Sequence, residues 1–260
     1  MTEKTQDRAR PRVAIPVPHS EKQDYNQRVL PQYIQAIENT GLDVVTISPD
    51  TAPAEVARIA SHCQGVVLPG SPADVDPEKY GAQREPACNP ADAARDTLDE
   101  LLLQDAHNMH KPVLAICYGL QSLNVWRTGS LLQDIHSTVN HECGPTVETA
   151  HHVEIDPNSR LGNIVSGSGE ASWSKGKLLL PVNSSHHQSA LVVGDGLQVV
   201  ARCPEDGIVE AIEATSENHW VTAVQWHPER SSDEASRRIF SAFRDAVCKW
   251  KPRDVTESVV

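Results

Sequence analysis

Cys117 sits inside PVLAICYGLQSLNVW, residues 112–126, at the joint between a short apolar run and a segment with helical character. A buried strand has little use for a thiol as its last residue, and a helix start prefers Ser, Thr, Asp or Asn. The position suits a nucleophile. A tight strand-to-helix turn lifts its central side chain into solvent and needs small neighbours, because the backbone there is crowded. Gly119 supplies one, two residues on. A thiol over a helix N-terminus meets a partial positive charge that favours thiolate and lowers a pKa of about 8.5.

Such a nucleophile needs a base held by a third group. AVQWHPER, residues 223–230, places His227 after an apolar run and Glu229 two residues later, on the same side of an extended segment. Backbone N–H groups must then hold the oxyanion. The amide of Tyr118, directly after the thiol, and one from the turn at Gly70 are the candidates. Each signal alone is weak, since cysteine is among the most buried residue types and His-Pro often only ends a strand. Together, in an α/β pattern, they specify nucleophilic attack by Cys117 with His227 as base and Glu229 as its orienting carboxylate.

The elements that would carry these residues alternate. RVAIPVP reads as a first strand, YNQRVLPQYIQAIENTG as a helix, LDVVTI as a strand, APAEVARIA as a short helix and GVVL as a buried strand. ADAARDTLDELLLQDAHNMH is a long helix, PVLAI a buried strand, and a further helix covers Tyr118 to Arg127. Short apolar strands separated by helices predict a mostly parallel sheet with helices on both faces. Beyond Gly129 the pieces HHVEI, KLLLPV, LQVVARC, GIVEAIEA and WVTAVQW predict antiparallel strands, before a final helix with Ile239, Phe240, Phe243 and Val247 as its apolar stripe. Ligands in such sheets gather outside the carboxyl ends of the strands. GVVL runs there into PGSPADVDP, and PVLAI into Cys117.

The bulk numbers agree with one α/β domain. The chain has 260 residues, with 23 Lys plus Arg against 35 Asp plus Glu, a formal charge of −12. That balance argues against nucleic acid or an anionic membrane as partner and favours a small molecule. No run approaches the roughly 18 apolar residues of a membrane helix, and the polar start has no signal-peptide character. A cytoplasmic location is expected. Six cysteines lie far apart with no C-x-x-C spacing, so free thiols rather than a disulfide framework are expected. The expected organisation is a disordered segment over 1–11, a single domain over 12–250 and a tail over 251–260.

The set LPGSPADVDPEKYG, AICYGLQSLNVW, NSSHHQ and AVQWHPE resembles the class I glutamine amidotransferase superfamily, and within it the γ-glutamyl-γ-aminobutyrate hydrolase type, which is peptidase C26-like. The resemblance spans about Val13 to Val247. It implies a flavodoxin-like α/β fold, a Cys-His-Glu triad falling on Cys117, His227 and Glu229, and hydrolysis of a γ-glutamyl amide through a γ-glutamyl thioester, with no metal or organic cofactor. It also implies that Gln121 touches the glutamyl part of the substrate, that Gly70 or Ser71 joins Tyr118 in holding the oxyanion, and that a homodimer is the family-level expectation. The Pro- and Asp-rich loop ending in Tyr-Gly resembles the hydrolase branch. A partner-dependent glutaminase subunit that delivers ammonia to a synthetase is the alternative.

Two departures from the pattern stand out. Ala115 occupies a position where the superfamily commonly has glycine. Trp126, Arg127 and Thr128 stand where the hydrolase pattern resembles a small residue, an apolar residue and the first of two glycines. Among other residues, His186 and His187 in NSSHHQ could offer donors to an α-amino-acid head group. The irregular spacing of His136, His141, His151, His152 and Cys143 gives no metal signature, and no metal site is expected there. Asp206 reads as ordinary Asp-Gly turn chemistry, Asp74 and Asp76 as solvated loop residues, and Trp173 and Trp220 as packing groups.

Overall fold

Val13, Ala14 and Ile15 of β1 (Arg12–Pro16) alternate between two apolar layers, and their neighbours follow the same alternation. On one side, Val13, Ile15, Val67, Leu114 and Ile116 pack with Val29, Tyr33 and Ile37 of α1 (Gln23–Glu38) and with the Ile239, Phe240, Phe243 and Val247 stripe of α6 (Glu234–Lys249). On the other, Ala14, Val66, Leu68, Val113 and Ala115 pack against α2 (Pro53–Ala60), α3 (Ala93–Met109) and α4 (Tyr118–Trp126). Strands buried on both faces read as continuous apolar runs, which is why GVVL and VLAI carry no polar residue. This computed structural model describes residues 10–252. Segments 1–9 and 253–260, most of the expected disordered start and tail, lie outside the described residues.

Among the described residues, one sheet of ten strands carries the fold, in the order β2 (Asp43–Ile47), β1, β3 (Gly65–Leu68), β4 (Val113–Ile116), β12 (Val221–Val224), β11 (Val209–Ala214), β10 (Leu197–Arg202), β6 (His151–Ile155), β8 (Lys177–Val182) and β7 (Ser172–Ser174). From β2 to β12 every pair is parallel, and from β12 to β7 every pair is antiparallel. The antiparallel strands of the second half therefore extend the same sheet. β5 (Ser130–Leu132) and β9 (Ser189–Val192) form a separate ribbon, and α5 (Arg160–Val165) packs on α6. Among the described residues, no helix is long and apolar enough to cross a membrane.

Register brings the carboxyl ends of β3, β4 and β12 level. Leu68 pairs with Ala115, and Ile116 with Val224. Gly70, Cys117 and His227 lie just past those three ends, so one line of the sheet holds all three.

The unusual end of α4 is also a defined structure. Thr128 N–H donates to Val125 O and Gly129 N–H to Asn124 O, both at 2.9 Å, which is a Schellman ending with Thr128 in the left-handed position at φ 70°. Glycine is the usual residue there, because a β-branched side chain is strained at positive φ. Arg127 makes the segment an anchor: its Nε donates to Asp195 O at 2.6 Å, its own carbonyl accepts from Asp195 N–H at 2.6 Å, and its guanidinium lies over Trp126. The departure from small residues thus ties α4 to the turn between β9 and β10.

Candidate active site

The chain turns from β4 into α4 at Cys117, whose φ of 55° and ψ of −108° are far from any relaxed conformation of a residue with a side chain. Holding such a conformation costs on the order of 1–3 kcal/mol and persists only where the surroundings impose it. Here the Cys117 N–H donates to Val224 O at 2.8 Å, fixing the elbow to β12. Gly119 completes it. A Cβ there would lie 2.3 Å from Leu68 O, so only glycine lets α4 start this close to the end of β3.

His227 leaves β12 and heads the short 3₁₀ turn Pro228–Arg230, which folds Glu229 back beneath its ring. Nδ1 donates to Glu229 Oε1 at 2.8 Å, with both side chains almost fully buried. The opposite nitrogen, Nε2, is buried and has no hydrogen-bond partner among the described residues. Cys117 is beside it. A Cβ on Gly70 would stand 3.2 Å from His227 Cε1 and 3.6 Å from Cys117 Cβ, which places the ring and the thiol around the same glycine. Burial of the His227 ring opposes its charged form, but the Glu229 carboxylate and the Cys117 sulfur outweigh burial and raise its pKa to about 9. Burial pushes the Glu229 carboxyl up, yet the His227 and Arg230 cations more than reverse this and hold it below the usual carboxylate range. The arrangement favours an imidazolium next to the sulfur and a carboxylate behind it.

Several groups that the sequence did not disclose position these three. The Asn183 side chain clamps the His227 backbone, accepting from its N–H at 2.9 Å and donating to its carbonyl at 2.8 Å. Arg95, fully buried on α3, donates to Pro69 O at 2.7 Å and to Pro18 O at 2.8 Å, pairs with Asp99 and lies over the Tyr118 ring. It therefore braces the strand end at Gly70 and the first residue of α4 together. Tyr118 adds a hydrogen bond from its hydroxyl to Asp96. A charged residue on a helix otherwise read as amphipathic gives no linear sign of such a role. Only its neighbours in space reveal it.

The remaining expected site residues take distinct places. The Tyr118 N–H begins α4 beside the thiol, as a helix N-terminus requires. The Gly70 N–H, expected to face a reacting carbonyl, instead donates to Tyr33 Oη at 3.1 Å. Ser71, Gln121, His186 and His187 line a cleft of about 230 Å³ that reaches Cys117 and Tyr118. Gln121 Nε2 is held by Gln188 O at 3.1 Å. His187 bridges Asp74 at 3.1 Å and Asp134 at 3.4 Å, and the Asp74 hydrogen bond raises its pKa to about 9. His186 turns its ring inward, with Nδ1 donating to Gln188 O at 3.0 Å and Nε2 aimed at Glu210.

The structure corrects the expectation for Asp74 and adds to that for Asp206. Asp74, expected to be solvated, is buried, because it also accepts from Asn89 N–H at 2.7 Å and closes one wall of the cleft. Asp206 is more than a turn residue: Ser137 Oγ at 2.5 Å and His141 Nε2 at 2.8 Å both donate to its carboxylate.

The sequence model of the peptidase C26 family matches residues 13–229, a span that includes Cys117, His227 and Glu229. The chain belongs to the peptidase C26 family. Relatives include the γ-glutamyl-γ-aminobutyrate hydrolase PuuD of Escherichia coli K12, 34% identical over 230 residues, which cover 84% of this chain and 85% of that protein. Protein NtpR of Enterococcus hirae is 32% identical over 222 residues, covering 81% and 86%. In fold, the chain is similar to the glutaminase domain of Trypanosoma brucei CTPS with bound acivicin, with a TM-score of 0.62, 18% identity and coverage of 94% and 96%. The chain is thus a glutamine amidotransferase-like hydrolase with the α/β fold of class I amidotransferase domains.

Proposed function

We propose that the protein hydrolyses the γ-amide bond of small γ-glutamyl amines, with γ-glutamyl-γ-aminobutyrate or a similar compound as substrate. The observation that carries this reading is the strained Cys117 elbow facing the unpartnered Nε2 of a His227 that Glu229 holds at 2.8 Å. The 34% identity to a γ-glutamyl-γ-aminobutyrate hydrolase supports the substrate class.

The Cys117 thiolate attacks the γ-carbonyl carbon, forming a C–S bond and pushing the carbonyl electrons onto oxygen. The Tyr118 N–H holds that oxyanion with an amide of the Gly70-Ser71 turn; since Gly70 N–H donates to Tyr33, Ser71 N–H is the freer donor. Losing one such donor typically costs about 10²–10³ in rate. His227 gives its Nε2 proton to the leaving amine, the C–N bond breaks, and a γ-glutamyl thioester remains on Cys117. His227 then takes a proton from water, which attacks the thioester, and glutamate leaves as the thiolate reforms. Glu229 keeps the His227 ring oriented and stabilises its charged form whenever Nε2 carries the proton, and Gln121 with the cleft wall orients the glutamyl chain.

Purified protein incubated with γ-glutamyl-γ-aminobutyrate, a γ-glutamyl anilide and glutamine, beside a Cys117→Ala variant, tests this. Glutamate release by wild type alone is expected, fastest from a γ-glutamyl amine. Release from none of the three contradicts the reading. Release from glutamine only in complex with an ATP-using synthetase supports the ammonia-donating alternative instead.

A further inference from the structure

Behind the cleft, three histidines from separate segments converge on one buried carboxylate. His141 lies in the loop before β6, His151 on β6, His186 in the loop before β9, and Glu210, with no exposed surface, on β11. His151 Nε2 lies 3.1 Å from Glu210 Oε1, His141 Nδ1 3.2 Å and His186 Nε2 3.6 Å.

The outward nitrogens decide what faces inward. His186 Nδ1 lies 3.0 Å from Gln188 O, and a carbonyl can only accept, so Nδ1 carries the hydrogen. His141 Nε2 lies 2.8 Å from the Asp206 carboxylate, which likewise accepts. Both rings, when neutral, therefore turn a bare lone pair toward Glu210. His141 Nδ1, His186 Nε2 and Glu210 Oε2 are all buried without a hydrogen-bond partner among the described residues. Lone pairs facing a buried carboxylate repel unless a cation lies between them. We propose that His141 Nδ1, His186 Nε2 and Glu210 bind a divalent transition-metal ion of the zinc type.

The spacing fits that ion. Bonds of about 2.0–2.1 Å in a tetrahedral site put ligand atoms roughly 3.3 Å apart, and the two nitrogens lie 3.2 and 3.6 Å from Glu210 Oε1, the oxygen that His151 Nε2 also approaches at 3.1 Å, which leaves Oε2 as the oxygen without a partner. Imidazole and carboxylate donors suit zinc. The Asp206 contact to His141 and the Gln188 carbonyl to His186 are the outer hydrogen bonds that fix tautomer and orientation in metal-bound histidines. A hollow of about 270 Å³, lined by His141, His186 and residues of the 137–142 loop, lies beside the cluster. Since His186 and His187 are adjacent, the ion would fix the loop that forms the cleft wall. Its ligands come from sequence positions far apart, so no linear spacing announces them.

The Cys117 thiol lies outside this ligand set, and the test removes it as a competing ligand. Cys117→Ala protein, stripped with chelator, is titrated with Co²⁺ and followed by visible absorption, and zinc content is measured by mass spectrometry after gel filtration. One equivalent of Co²⁺ with tetrahedral absorption bands, displaced by Zn²⁺, together with a zinc-dependent rise in Tm, is the expected result. Adding His186→Gln to that background should weaken binding at least tenfold with far-UV circular dichroism unchanged. If that variant fails to fold, Glu210→Gln gives the same readout. No stoichiometric binding by the Cys117→Ala protein, or binding unchanged in both variants, overturns the proposal and leaves protons as the cations that hold the cluster.

Discussion

Replacing Gly119 by alanine sets two effects against each other. Alanine is the better helix former by about 0.8–1.0 kcal/mol, and Gly119 is the second residue of α4. Against this, its Cβ would meet Leu68 O at 2.3 Å, Leu68 Cβ at 2.7 Å and Leu68 C at 2.9 Å. Reaching ordinary contact requires about 1 Å of movement between α4 and the end of β3, and overpacking of this kind costs roughly 1–3 kcal/mol. The clash involves backbone of a buried strand, which cannot swing aside, so it wins over propensity. A net loss of about 1–2 kcal/mol in stability is expected. The catalytic loss should be larger, because a 1 Å misplacement of reacting groups can cost about 10²-fold in rate, and the moving helix carries the Tyr118 N–H. Urea unfolding and kcat/KM for glutamate release from a γ-glutamyl anilide read the two effects separately. A Gly119→Ala protein that is as stable as wild type or more so, with kcat/KM within twofold, would refute the elbow argument.

Glu229→Gln removes the nearest carboxylate that raises the His227 pKa, so the alkaline limb of the pH–rate profile, expected near pH 9 in wild type, should move to lower pH. kcat should fall by about 10²–10⁴, and an unshifted limb would show that Glu229 does not act on His227. Thr128→Gly should raise stability by about 0.5–1 kcal/mol, since relief of strain at φ 70° exceeds the added freedom of the unfolded chain; a lower Tm would contradict the Schellman reading. His187 has its folded-state pKa raised to about 9 by Asp74. Its contribution, on the order of 2–3 kcal/mol, is complete below the unfolded value near 6.5 and is lost as pH rises through 9. Unfolding free energy measured from pH 6 to 10 should show that decline, and Asp74→Asn should flatten it.

The triad candidates were legible because their signals are local: a thiol at a strand-to-helix joint, and a His and a Glu two residues apart. The central parallel strands β3 and β4 were legible as short apolar runs because they are buried on both faces. β5, β7 and β9 are not legible, because strands of three or four residues with serine at their ends carry almost no periodic signal. Asn183 and Arg95 were not legible as positioning groups, since their roles rest on contacts with segments 26 to 77 residues away. Asp74 is hidden for the same reason. An acidic residue between prolines reads as solvated until a histidine 113 residues later is found beside it.

Cys117 as the atom that carries the glutamyl group is the central claim. Wild-type protein mixed with γ-glutamyl-γ-aminobutyrate, quenched with acid during turnover and digested, should yield the peptide holding Cys117 with the added mass of one γ-glutamyl group. Hydroxylamine should remove that mass, as it does from a thioester, and Cys117→Ala protein should give neither adduct nor glutamate. Glutamate release by Cys117→Ala at the wild-type rate, or an adduct on another residue, would contradict the account.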